Sequence, residues 1–436
     1  MFFFEPPFMS ANRFVTRMRA EDYLLTVLAV IRLRLVPNGQ SRPIEDDEEQ
    51  PGPRSREYFD DGLGPSPRYG GDYAPFKPRT DVTLMGSAHV PQGNRARQLR
   101  ATFGMENWRK HIDIVGDRVL HRDVDIHLTQ PALFSSISLR LDNAFGGLSS
   151  PYNPWGKGFG EFNAAGGDEF PVCNLHPEGE TQVRWDEDQM PAGFGPLPED
   201  MLPRIKLRGS YNEHWLRNRN PLPPLDFDWA FYNAAPPDQQ FLPYLLGNET
   251  FYFENLHPQF SRMTTRLWGQ RLRVLLRRET GPKARPGVEY LEIKAPLDSV
   301  HVDTEAMTID LAWRAVTSAQ HPEAREFTHC HIATEAVDRE PAPLADHVAM
   351  FEARLNGNDL PPPPPPPPPP AEADAAAGQE ELDEEAMATI QNMVKELELP
   401  AELKDAVAKA KTPPEAIRIL ETAVNQAVKL ASKSKM

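Results

Sequence analysis

The sequence predicts a mainly β protein: a body of antiparallel sheets, sandwich-like, with long loops rich in proline, glycine and aromatic residues, then a polyproline linker and a small C-terminal α-helical module. Three observations lead there. Apolar and polar side chains alternate with the strand period of two along much of the body. Proline contributes 46 of 436 residues, and 36 remain when a ten-residue run at 361–370 is set aside. Long helices are thereby excluded from much of the body, because proline has no amide proton to give a helix interior. Beyond the run the apolar spacing changes to that of an amphipathic helix.

The first strand signal is "IRLRLVPNGQ", where Ile31, Leu33 and Leu35 alternate with Arg32 and Arg34 before a Pro-Asn-Gly turn. It predicts a strand with one wet face. Residues 45–61 are acidic and rich in proline and glycine, with too few apolar groups to fix a conformation, so a mobile surface loop is expected over about 45–75. "HIDIVGDRVLHRDVDIHL" places Ile112 and Ile114 on one face and predicts a hairpin turn at Gly116 and Asp117.

Between 143 and 258 no helical window survives for long, yet Phe145, Trp155, Phe159, Phe194, Tyr211, Trp215, Phe227, Trp229 and Tyr232 punctuate the chain. Loops of this composition are expected to pack down through aromatic anchors. Alternation resumes at "RLRVLLRRE" and at "VHVDTEAMTIDLAWRAV", where Ile309, Leu311 and Trp313 share a face opposite Asp310 and Arg314. Leu344, Val348, Phe351 and Leu355 then recur at helical spacing between Pro343 and Gly357, predicting one helix at the end of the body.

Ten consecutive prolines are expected to form a stiff rod, roughly 30 Å long at about 3.1 Å per residue. Residues 372–385 carry seven acidic and no basic side chains. Met387, Ile390, Val394 and Leu397 then form one apolar stripe, and Ile417, Leu420, Val424 and Val428 a second after an N-cap at Thr412. The predicted division is a β body over 1–357, a linker over 358–380 and a helical module over 381–436.

Bulk composition narrows the function classes. Acidic residues outnumber basic ones by 63 to 47, and a net charge of -16 repels phosphate backbones and offers no general attraction to anionic membranes. Nucleic acid is therefore not an expected partner. Cys173 and Cys330 are the only cysteines, with no paired motif, so neither a disulfide framework nor a zinc knuckle is indicated and a reducing cytoplasm fits best. The opening "MFFFEPPF" lacks a basic leader, and the apolar run at 23–31 is about half of what a membrane helix needs, so no membrane insertion is expected.

Five motifs, "GDRVLHR", "AFGGLSSPYNPWGKGF", "PRIKLRGSYNEHWLRNRNPLPPLDFDWAFYNAAPPDQQ", "LLGNETFYFENLHP" and "VHVDTEAMTIDLAWR", stand in this order. In order and spacing they resemble a family of domains of unknown function found in type VI secretion gene clusters, near the valine-glycine-repeat (VgrG) spike, the PAAR-type tip and a toxin effector. The resemblance covers roughly residues 24–355. It implies an adaptor or chaperone that binds the effector and helps load it onto the spike, with no catalytic residues to carry over. This chain departs from the pattern with Val119 after "GDR" and with "GSYN" at 209–212, changes that keep size and turn chemistry.

Several clusters invite a chemical reading. Arg217, Arg219, Asp226 and Asp228 surround Trp215; as structure they tie proline-rich loops to the sheet through charge-assisted hydrogen bonds, and as function Trp215, Arg217 and Arg219 are natural anchors for a protein partner. His329 and His331 share a strand face opposite Cys330, but no third zinc ligand lies nearby in sequence. Gly146, Gly147, Gly156 and Gly158 read as turns, since no Lys-Ser or Lys-Thr follows. Hydrolase signatures such as Gly-x-Ser-x-Gly or HExxH do not occur.

The tail stripes are expected to be the seam of a small bundle more often than a partner site, although helix-in-groove binding would bury the same residues, Met387, Ile390, Val394, Leu397, Ile417, Leu420 and Val424. The reading is a non-enzymatic, cofactor-free cytoplasmic adaptor whose partners are a toxin effector and the spike and tip proteins. Two rivals stand beside it: a metal-dependent or acid-base hydrolase using His329, His331 or the Asp226 and Asp228 pair, and a carbohydrate- or envelope-binding sandwich.

Overall fold

The computed structural model describes residues 1–18, 22–44, 50–60, 66–122, 126–158, 169–181, 190–281 and 287–357, together with 404 and 408–410. The chain divides into two compact units, Met1–Leu360 and Pro361–Met436. The polyproline run and both predicted tail stripes lie outside the described residues.

The strand Tyr23–Arg34 is the spine of the body. Its odd positions Leu25, Val27, Ala29, Ile31 and Leu33 are all buried in the main core, while Leu28 and Val30 are buried with Ala312 on the other face, so the period-two alternation serves two covered faces. It stands in a seven-stranded sheet ordered Gln240–Phe241, Thr80–Met85, Leu297–Asp303, Thr308–Ala319, Tyr23–Arg34 and Ser10–Arg17, with Arg42–Pro43 beside the spine's end. All pairs in it are antiparallel except Thr80–Met85 with Leu297–Asp303. Ile309, Leu311 and Trp313 share the core face, as their spacing predicts.

A six-stranded sheet faces this one, running Leu175–Pro177, Trp108–Val115, Gln98–Met105, Thr250–Glu254, Arg262–Arg266 and Gly39–Gln40. A four-stranded sheet, Phe2–Phe4, Phe327–Ala336, Gln270–Thr280 and Gly287–Ala295, completes the enclosure. Side chains of all three sheets enter one continuous apolar cluster. The body is thus mainly β as predicted, built from several packed sheets with parallel as well as antiparallel contacts.

The predicted helix is present as Leu344–Leu355. Its Phe351 is buried against Phe4, Tyr290 and His331, with ring centroids 6.0, 5.6 and 5.2 Å away. Glu335 holds it to the four-stranded sheet by accepting from His347 Nε2 at 2.7 Å, Arg273 Nη1 at 3.0 Å and Arg271 Nε at 3.2 Å.

Three expectations are corrected. Gly116 and Asp117 do not close a hairpin, because Trp108–Val115 pairs with Gln98–Met105 while Val119–Arg122 pairs with Ile126–Leu128 and Glu169–Pro171 in a separate small sheet. Gly116 instead marks a close crossing, where a Cβ would stand 1.9 Å from the Ala132 carbonyl oxygen. The arginine face of "IRLRL" is wet only at its end: Arg34 is exposed, whereas Arg32 is partly covered and pairs with Asp310. Nor are the described residues within 45–75 a loose loop, since Ser66, Tyr69, Asp72 and Ala74 are buried and Arg54 crosses the sheet to Asp310. Composition misled here because the segment's polar groups find buried partners that only the folded sheet supplies.

Candidate functional site

The second face of the seven-stranded sheet gathers ionisable groups. Arg32 Nε and Nη2 donate to the two oxygens of Asp310 at 2.7 and 2.8 Å, and Arg54 Nη2 adds a third contact at 2.5 Å. Arg314 pairs with Asp298 and donates to the Asp72 carbonyl at 2.6 Å. Lys77 Nζ donates to Asp81 and Ser299, both at 2.9 Å, while Asp81 also accepts from Asn233 Nδ2 and from the Ala234 and Ala235 amides. Burial holds the Tyr69 hydroxyl well above its ordinary pKa and raises that of the Asp298 carboxyl.

The cavity among Tyr69, Lys77, Asp81, Thr83, Ser299 and His301 measures about 20 Å³, room for one water and no substrate. These groups clamp the described loop residues within 50–60 and 66–79, and those at 233–239, onto the sheet. Alternation was legible in "TIDLAWR", but the burial of its polar set depends on loops that come from elsewhere in the chain.

Two histidine constellations bear on the catalytic alternative. His329 stacks against Phe4 of the neighbouring strand, and His331, buried, stacks against Phe351 of the helix. Sequence reasoning missed a second group, in which Cys173 Sγ lies 3.8 Å from His176 Nε2. Arg118 Nη2 already donates to that nitrogen at 2.7 Å, which takes up the lone pair a base would need. Burial raises the Cys173 thiol to about 11, so the thiolate needed of a nucleophile is scarce at neutral pH. The signal was the spacing Cys173-x-x-His176.

Burial lowers His176, His301 and His331 each to about 4, against about 6.5 in an unfolded chain. Between those values the unfolded state binds more protons, so stability rises with pH. The contribution is complete above about 6.5 and is lost as the pH falls toward 4. Urea unfolding at pH 7.5 and pH 5 is expected to show a loss on the order of a few kcal/mol at the lower pH, reduced in a His301→Phe variant.

The predicted anchors Trp215, Arg217 and Arg219 sit on a lobe. Arg204, buried, closes its neck by donating from Nε and Nη2 to the Phe231 carbonyl at 2.9 and 2.7 Å and from Nη1 to the Leu197 carbonyl at 2.6 Å. Desolvation lowers this guanidinium to about 10. Between the ends, only Pro224 of residues 205–230 is buried. The lobe is braced internally: Asn212 caps the short helix Glu213–Asn218, Trp215 Nε1 donates to the Leu222 carbonyl at 2.8 Å, Tyr211 packs edge-on to Trp215, and Arg219 Nε donates to the Pro223 carbonyl at 2.6 Å.

Asp226 accepts from the Ser210 amide and hydroxyl, which hold its pKa below the ordinary value, and Asp228 accepts from the Ala230 amide. Arg217 pairs with Glu213 on the surface at 3.0 Å. These polar groups therefore brace the lobe and do not tie it to the sheet, which corrects that expectation; Arg204 fastens the lobe's neck to the backbone at Leu197 and Phe231. Tyr211, Leu216 and Leu225 are left 48%, 58% and 82% exposed.

Gly209 is needed for this closure. Its φ is +79°, and a Cβ would meet Asp226 Oδ1 at 2.9 Å and the Phe227 amide at 3.0 Å. Gly209→Ala is expected to cost about 1 kcal/mol or more. Limited proteolysis is expected to show faster cleavage within 205–230, with the sheets unaffected.

An open groove of about 270 Å³ lies on the outer face of the six-stranded sheet, lined by Asn38, Thr102, Arg109, Tyr252, Glu254 and Thr264. Arg109 Cζ stands over the Tyr252 ring, 3.8 Å from its centroid, which Gly104 permits, because a Cβ there would meet Arg109 Cδ at 2.4 Å.

Residues 20–314 match a family described as an uncharacterized protein conserved in bacteria (DUF2169). The chain belongs to this family. The DUF2169 match includes the sheet spine, the buried polar face and the whole lobe, and stops before the strand Phe327–Ala336 and the helix Leu344–Leu355. No curated protein and no solved structure matches the chain. Among the described residues no helix is long and apolar enough to cross a membrane. The candidate partner residues Met387, Ile390, Val394, Leu397, Ile417, Leu420 and Val424 lie outside the described residues.

Proposed function

We propose that this DUF2169 protein is a cytoplasmic adaptor that works by holding other polypeptides, and that its partners are a toxin effector and the VgrG spike and PAAR tip of a type VI secretion system. The observation that carries the reading is the division of labour across the body. The densest ionisable cluster is closed on itself beneath packed loops, around a cavity fit for one water. The lobe, by contrast, is rigidified from within and offers Tyr211, Leu216 and Leu225 to solvent. An exposed apolar group on a self-braced projection has little entropy left to lose on binding, which favours a protein contact. The secretion context rests on the five-motif resemblance.

Affinity purification of the full chain from its native background is expected to recover an effector or a spike component. A Leu216→Ala, Leu225→Ala double variant with unchanged circular dichroism is expected to bind about tenfold less tightly. Recovery of neither class of partner by the parent chain would overturn the reading.

A further inference from the structure

The strand Ser10–Arg17 ends the seven-stranded sheet, paired along its full length to the spine from Ser10 opposite Val30 to Arg17 opposite Tyr23. Among the described residues no strand pairs with its other side. Antiparallel ladders alternate, so Ser10, Asn12, Phe14 and Thr16 turn their backbone groups toward the spine, while Ala11, Arg13 and Val15 turn theirs outward. The Arg13 amide confirms the phase, since it is met by Asn12 Oδ1 at 2.7 Å. The amides of Ala11 and Val15 have no partner among the described residues.

The strand contains no proline and no register shift, two of the devices that blunt an open edge. Beside it Phe14 packs edge-on to Tyr73 at 6.0 Å, and Tyr73 is 46% exposed. A sheet edge whose Ala11 and Val15 amides lack partners among the described residues, beside an exposed aromatic ring, calls for another strand.

We propose that a second copy of this chain supplies it, the two Ser10–Arg17 strands pairing antiparallel about a twofold axis so that the sheet continues from one copy into the other. The register follows from phase and charge. Outward-facing residues must oppose outward-facing residues, which leaves two registers with the longest overlap. One sets Arg13 against Arg13, a like-charge pair that destabilises a ladder. The other sets Phe14 against Phe14, Arg13 against Val15 and Arg17 against Ala11, with no like charges opposed and the two rings at the closely spaced, non-hydrogen-bonded position. The interface is self-complementary, as a twofold contact must be. Each copy carries a net charge of -16, so added salt screens the repulsion and strengthens the pairing.

The test is sedimentation of the full chain over micromolar concentrations. A concentration-dependent dimer that tightens with salt is expected. Val15→Pro removes one outward amide from each copy and leaves the ladder to the spine, a position where an edge strand tolerates proline; it is expected to weaken the dimer at least tenfold. Val15→Ala, which loses the same packing but keeps the amide, is expected to dimerise like the parent. Asn12→Ala removes the acceptor that occupies the Arg13 amide and is expected to tighten the dimer. A parent chain that stays monomeric throughout overturns the proposal, as does a folded Val15→Pro variant that dimerises like the parent. Should Val15→Pro not fold, unchanged association of Asn12→Ala overturns it.

Discussion

Replacing Asp298 with alanine is expected to destabilise the body by about 3–5 kcal/mol, the cost of leaving a buried charge without its counterion. Asp298 and Arg314 each expose only 1% of their side chains. Arg314 is held in place by Asp298 on one side and by the Asp72 carbonyl on the other, so it has no route to solvent once the carboxylate is gone. Asp298→Leu combined with Arg314→Met removes both charges and is expected to recover most of the loss, because the pair's desolvation penalty disappears with its attraction. Denaturant unfolding of the full chain distinguishes the two. A single variant costing less than about 1 kcal/mol would show that water reaches the pair.

Phe103→Ala is expected to cost a similar amount, about 3–5 kcal/mol, through a different mechanism. Phe103 is fully buried, with ring centroids of Phe253, Trp108, Phe194 and Phe251 at 5.6, 5.7, 5.7 and 5.8 Å. Those rings come from the six-stranded sheet and from the loop that carries Phe194, so a void there loosens the contact between layers. Phe103→Leu keeps most of the volume and is expected to cost less. The same unfolding measurement applies, and an equal loss for both variants would mean that ring geometry matters more than filled volume.

The lobe was partly legible before folding. Trp215, Arg217 and Arg219 stand out by type and density, and they do share one projecting element. Their roles were not legible, because Arg219 and Asp226 bond to backbone within the lobe itself, at Pro223 and at Ser210, and the second closure depends on the positive φ of Gly209. Leu216 and Leu225 carry no signal at all, since a leucine between polar neighbours has the same appearance whether it faces a core or water.

The sequence alone determined the strand character of the body, the shared face of Ile309, Leu311 and Trp313, and the helix Leu344–Leu355, all of which follow from local periodicity and its punctuation. Tertiary structure decided which strands pair, that Val119–Arg122 leaves the strand before it for another sheet, that Asp298, Asp310 and Arg314 are internal, and that Arg32 and Arg54 are partly covered by pairing with Asp310. The reason is physical. A strand's period states which side chains share a face, whereas the partner of that face is set by contacts between segments hundreds of residues apart, as Arg32 and Asp310 are.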